Sequence, residues 1–174
     1  MRLFKKKIRI GLDATCFDHR PSGAKQRFLG LYSQLIKIMP NVNFVIFEPI
    51  NYSLKSNLVL KNHKNVLFVK TKINSRNNLL NIIKSYFFWK KNMKIYNLDF
   101  FEIFRLPFFK NSSAKIILTI HDLRYLYWKF AGLKFFINYL YCKIFLKKID
   151  HFISVSKSTK NEVINLLKYK NISV

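Results

Sequence analysis

Three short segments carry side chains able to do chemistry. The first is Arg20-Pro21-Ser22-Gly23-Ala24-Lys25-Gln26-Arg27. A glycine at the opening of a helix lets backbone N–H groups approach an anion, and the helix N-terminus favours negative charge. The second is Thr119-Ile120-His121-Asp122-Leu123-Arg124-Tyr125, which sets an imidazole, a carboxylate and a guanidinium side by side. A histidine there can hydrogen-bond a sugar hydroxyl or a phosphate oxygen, with a pKa near working pH. The third, Ser154-Val155-Ser156-Lys157-Ser158-Thr159-Lys160, is rich in hydroxyls and ammonium groups. Each has a plainer reading as well. A Ser-Gly before a helix is an ordinary turn, an Asp after a strand is a cap, and serines before a helix cap it.

What decides between these readings is where the chain places the segments. Lys7 to Ala14 alternates early and then runs into turn-prone residues, which suits a strand. Phe28, Leu31, Tyr32, Leu35, Ile36 and Met39 recur at helical spacing as one apolar face, and Pro40 stops the helix. Asn43 to Glu48, Val66 to Val69, Phe100 to Phe104, Ile116 to Ile120 and His151 to Val155 read as strands, and Ile172 to Val174 as the opening of one more. Helical patterns cover Leu79 to Trp89, Leu133 to Lys148 and Ser158 to Leu167, the last with Thr159-Lys160-Asn161-Glu162 as its capping box. Asn51 to Lys64 is polar and reads as loop. Strands alternating with helices predict a Rossmann-like, three-layer α/β domain with a mostly parallel sheet of about seven strands. In such a sheet ligands bind outside the carboxyl ends of the strands, where all three segments fall.

Composition narrows the classes. The 174 residues are 50% hydrophobic and 17% aromatic, which excludes intrinsic disorder. In the apolar C-terminal half the longest run without Lys, Arg, Asp or Glu is Phe135 to Cys142, well short of a membrane span. Lys5, Lys6 and Lys7 make a basic start, but Arg9 and Asp13 interrupt any signal-peptide core, so a cytoplasmic location is expected. Cys16 and Cys142 form no framework spacing, and His19, His63, His121 and His151 are scattered, so no metal is expected. The net charge is +24, from 32 basic and 8 acidic residues. Codons rich in A and T would produce much of this composition by themselves. The field they create still attracts nucleic acid, anionic lipid or phosphorylated substrates.

No Walker loop, dinucleotide fingerprint or Gly-x-Ser-x-Gly element occurs. Taken in order, however, Ile10-Gly11-Leu12-Asp13-Ala14, Ser22 to Phe28, Leu118-Thr119-Ile120-His121-Asp122-Leu123, Ile149 to Ser156, and Lys160 are similar to a known pattern. The chain resembles, over nearly its whole length, the N-terminal domain of retaining GT-B glycosyltransferases of family 4. The resemblance implies the acceptor-binding half of a nucleotide-sugar-dependent hexosyltransferase in cell-envelope polysaccharide or glycolipid assembly. It implies a catalytic role for His121 near the reacting sugar. Ser22, Gly23 and Arg27 would lie near the donor phosphates, Asp122 and Arg124 on the acceptor side, and Ser156 and Lys160 at the interdomain cleft. Where many members have two adjacent glycines, this chain has Ser22-Gly23.

The resemblance implies no cofactor, the nucleotide sugar being a co-substrate, and a glycan or lipid-linked acceptor as the other partner. Members carry a second domain with a Glu-x7-Glu element; here only Glu102 and Glu162 follow Glu48, and no two glutamates stand eight apart. Residues 1–174 therefore read as one domain of an enzyme, a truncated or partial chain inactive alone, its other half in cis or on a separate chain. Lysines set among aromatics between Trp128 and Lys148 suggest peripheral contact with an anionic membrane at its inner face. The alternative function is a stand-alone basic module for nucleic acid or anionic membrane. Against nucleic acid, no RNP, helix-turn-helix or zinc-finger pattern appears.

Overall fold

A computed structural model of the chain describes residues 7–55, 60, 63–75, 79–104, 114–123, 126, 127, 129, 132, 134–168 and 172–174. Among these, seven strands form one sheet: β1 (Arg9–Asp13), β2 (Asn43–Glu48), β3 (Val66–Lys70), β4 (Phe100–Ile103), β5 (Lys115–Ile120), β6 (His151–Ser154) and β7 (Ile172–Ser173). Their spatial order is β3-β2-β1-β4-β5-β6-β7, and every neighbouring pair is parallel. The sheet reverses its direction of growth between β1 and β4, the switch point of a Rossmann-like fold.

Four helices are described: α1 (Gly23–Ile38), α2 (Leu79–Ile95), α3 (Lys134–Leu146) and α4 (Lys157–Leu167). Strand alternation separates two cores. Phe44 and Ile46 of β2 join Leu12, Phe28, Tyr32 and Ile36 under α1. Val45 and Phe47 turn to the other face, where Trp89 and Met93 of α2, Cys142 and Leu146 of α3 and Val163 of α4 pack with Phe101, Ile116 and Phe152. The three-layer α/β architecture expected from the sequence is the one observed.

Local details depart from the reading of the sequence. Strand β1 is shorter than the expected Lys7 to Ala14, and Gly11 lies in its middle, paired with both neighbouring strands. A Cβ there would stand 2.5 Å from Leu98 Cδ1 and 2.7 Å from Phe101 Cδ2, so the glycine makes room for the core. The buried stripe of α1 is narrower than its apolar face, because Leu31 and Met39 are exposed. Helix α2 runs six residues past Trp89, since Met93, one turn on, is fully buried; Asn97, in the left-handed region at φ 48°, follows its end. Helix α4 begins at Lys157, with Ser156 and not Thr159 as its N-cap. In the expected loop Asn51 to Lys64, Leu60 is helical and fully buried. Among the described residues no helix is long and apolar enough to cross a membrane, and no group of three His, Cys, Asp or Glu could hold a metal.

Candidate functional site

Because all the strands are parallel, the segments after β1, β5 and β6 emerge at one rim. The nine residues from Ala14 to Ser22 join β1 to α1 and are tied down in stages. Thr15 donates its N–H (2.9 Å) and hydroxyl (2.5 Å) to Asp13 Oδ1, closing the turn off β1. Phe17 packs edge-on against Phe28 and also meets Phe104. Asp18 and Arg20 pair at 2.7 Å on the surface, and the Arg20 side chain holds the Asp18 carboxyl below its ordinary range. The buried Lys25 donates Nζ to the Asp18 carbonyl (2.8 Å) and lies over the Tyr52 ring.

Ser22 is the N-cap of α1, accepting from the Lys25 N–H at 3.2 Å. Gly23 is exposed, and a Cβ built on it meets nothing within 4 Å. At Gly23 the start of the helix thus faces open space. Arg27, one turn further, is half-buried; its Nη1 is enclosed and has no hydrogen-bond partner among the described residues.

His121 follows β5 directly. Its ring centroid lies 6.4 Å from that of Phe104, and its Nε2 is likewise enclosed without a partner among the described residues. Burial pushes its pKa down, the positive charge of Arg27 pushes the same way, and Asp122 pulls back up. The fold therefore favours a neutral imidazole beside a permanent guanidinium. The N-terminus of α4 comes to the same place: Ser156 Oγ and Thr159 Oγ1 lie 3.1 Å apart, and Thr159 Oγ1 reaches the His121 carbonyl at 3.5 Å. Ser156 caps α4 through the Thr159 N–H (3.1 Å), and the Lys160 N–H closes the first turn on the Ser156 carbonyl (3.0 Å).

The fold thus gathers Arg27, His121, Asp122 and the Ser156–Thr159 turn, while Ser22 and Gly23 stand on the open side, one turn outward. Both serines do the capping work that the plainer reading assigned them. Arg124 lies outside the described residues.

Beneath this group lies a polar cluster that the sequence reading did not single out. Glu102 of β4 is 5% exposed and accepts from the Tyr32 hydroxyl of α1 and from Thr119 Oγ1 of β5, the latter at 2.5 Å. Burial pushes its pKa up, while the Thr119 bond and the charge of Arg27 oppose the rise. The signal was present: a lone carboxylate inside Phe100-Phe101-Glu102-Ile103-Phe104, which cannot be buried without partners.

Together these groups can hold an oxyanion or a hydroxyl between a fixed positive charge and a neutral imidazole, with a buried carboxyl below. No protein-family model matches the chain, and no curated protein matches it significantly.

Proposed function

We propose that the chain is the acceptor-binding half of a retaining, nucleotide-sugar-dependent glycosyltransferase of cell-envelope polysaccharide or glycolipid assembly, its donor-gripping half supplied in cis or on a separate chain. One observation carries the reading: Arg27 Nη1 and His121 Nε2, both enclosed and unpartnered among the described residues, lie toward the carboxyl-end rim of a parallel sheet, where ligands of such sheets bind. Enclosed nitrogens are costly to leave unbonded, and an oxygen-rich ligand satisfies both.

In this reading Arg27 meets a phosphate oxygen of the donor. The neutral His121 bonds a sugar hydroxyl or the bridging oxygen, and both bonds strengthen as charge develops on the departing phosphate. Ser22 and Gly23 offer backbone N–H groups to the same phosphates. Asp122 lines the acceptor side, and Ser156 and Lys160 face the other half.

The test follows the His121 imidazole by NMR while the chain is titrated with nucleoside-diphosphate sugars, sugar phosphates and lipid-linked saccharides. At least one class should saturate and raise the imidazole pKa, because a bound oxyanion favours the charged ring. Arg27→Ala should abolish the response with the fold retained, and His121→Ala in the assembled enzyme should lower turnover roughly 10²–10³-fold. If no such ligand moves His121 while a short oligonucleotide does, the chain is a basic binding module and the reading fails.

A further inference from the structure

Helices α2 and α3 cover the same face of the sheet, opposite α1, through Trp89, Met93, Cys142 and Leu146. Their outward sides are not the polar surfaces that a solvated layer presents. On α3, Phe136, Leu140 and Ile144 recur every fourth residue and are 64%, 62% and 50% exposed. At helical spacing they occupy, with the exposed Lys143, an arc of about 100° directed away from the core, and the exposed Lys147 follows the helix end. On α2, Phe87 and Ile95, 65% and 58% exposed, bracket the exposed Lys91 and Lys94. Neither helix contains an acidic residue.

We propose that this α2–α3 layer docks on a bilayer containing anionic phospholipid. The exposed aromatic and aliphatic side chains enter the boundary between headgroups and acyl chains, and the lysines meet the lipid phosphates. Charge selects this occupant over the others. A second copy of the chain would bring like charge against like, with no carboxylate on either helix to relieve it. Cores of protein interfaces are depleted in lysine. Nucleic acid would satisfy the lysines but leave Phe136, Leu140 and Ile144 in water. A membrane alone satisfies both kinds of side chain, and the net charge of +24 draws the protein to it from a distance. Docking by this face leaves the rim around Arg27 and His121 open, since α1 lies on the other side of the sheet. The inference is independent of the glycosyltransferase reading.

The full chain is tested by flotation with vesicles of phosphatidylcholine alone and with about 30 mol% phosphatidylserine added. Binding is expected only to the anionic vesicles, and raising salt from about 0.1 M to about 0.5 M should release it. Lys143→Gln and Lys147→Gln should each weaken binding about five-fold. Phe136→Ser/Leu140→Ser/Ile144→Ser should weaken it more than ten-fold. In an otherwise native chain, Leu140→Trp places a reporter on the same arc, and its emission should shift to the blue with anionic vesicles. Equal binding to both vesicle types, binding unaffected by the serine substitutions, or no blue shift in the Leu140→Trp chain would overturn the proposal. So would a preference for nucleic acid over the anionic vesicles.

Discussion

Replacing Tyr32 by Phe and Glu102 by Gln, singly and together, tests the buried carboxyl cluster that feels the charge of Arg27. Tyr32→Phe keeps the ring and its packing against Phe28 and Phe44 and deletes one donor to Glu102. Against an ionised carboxylate that bond is worth about 1.5–3 kcal/mol, against a neutral carboxyl about 0.5–1.5 kcal/mol. Burial raises the Glu102 pKa above its value in the unfolded chain. Between the two titrations the folded protein therefore holds more protons than the unfolded one, and stability falls as pH rises. This contribution is complete below the unfolded-state pKa and gone once pH passes the folded-state value.

The cost of Tyr32→Phe should thus roughly double as pH climbs through the folded-state titration. In the Glu102→Gln background it should stay near the lower figure at every pH. Relative to the parent, Glu102→Gln should gain stability with rising pH, because it has no proton to lose. The assay is urea unfolding of all four proteins, followed by circular dichroism from about pH 4.5 to about pH 8. For a chain of this length each kcal/mol corresponds to about 2–4 °C in melting temperature. A Tyr32→Phe cost that is the same at both ends of the range, or unchanged by Glu102→Gln, would refute the reasoning.

Two further outcomes are expected. Gly11→Ala should destabilise by about 1–3 kcal/mol through overpacking against Leu98 and Phe101, and a double-mutant cycle with Leu98→Ala should show coupling above about 0.5 kcal/mol. Ser22→Ala and Ser156→Ala should each cost about 0.5–2 kcal/mol as lost N-caps, Ser22→Gly only a few tenths, with the two sites additive in thermal melts.

Much of the fold was legible because strand and helix periods are local signals. Asn43 to Glu48 reads as a strand and is one, and Pro40 ends α1 where the sequence said it should. What was misread depends on tertiary neighbours. Lys90, Lys91 and Asn92 look like the end of a helix after Trp89, yet Met93 and its place in the core carry α2 onward. Thr159 looks like a cap, but Ser156 captures its N–H and the helix starts at Lys157, one residue before the expected Ser158. At the site, His121 and Arg27 could be named from the segments that hold them. The buried Glu102 that Arg27 influences could not, because its partners Tyr32 and Thr119 lie 70 and 17 residues away along the chain.

The parallel pairing of β1 with β4 also shapes how the chain must come together. Ile10 faces Phe100, Gly11 faces Phe101 and Leu12 faces Glu102, so the middle of the sheet joins segments about ninety residues apart. On a ribosome adding about 5–20 residues per second, β1 exists for roughly 5–18 s, and the β1-β2-β3 unit for roughly 1.5–6 s, before the last partner of β1 emerges. During that interval one edge of β1 has unbonded amides and the slot over Gly11 is empty. Helix α1 can already bury Phe44 and Ile46 with Leu12, but Tyr32 has no carboxylate to meet. The first half is therefore a waiting template with an open strand edge, the kind of surface that chaperones cover and that pairs with the wrong chain when they do not.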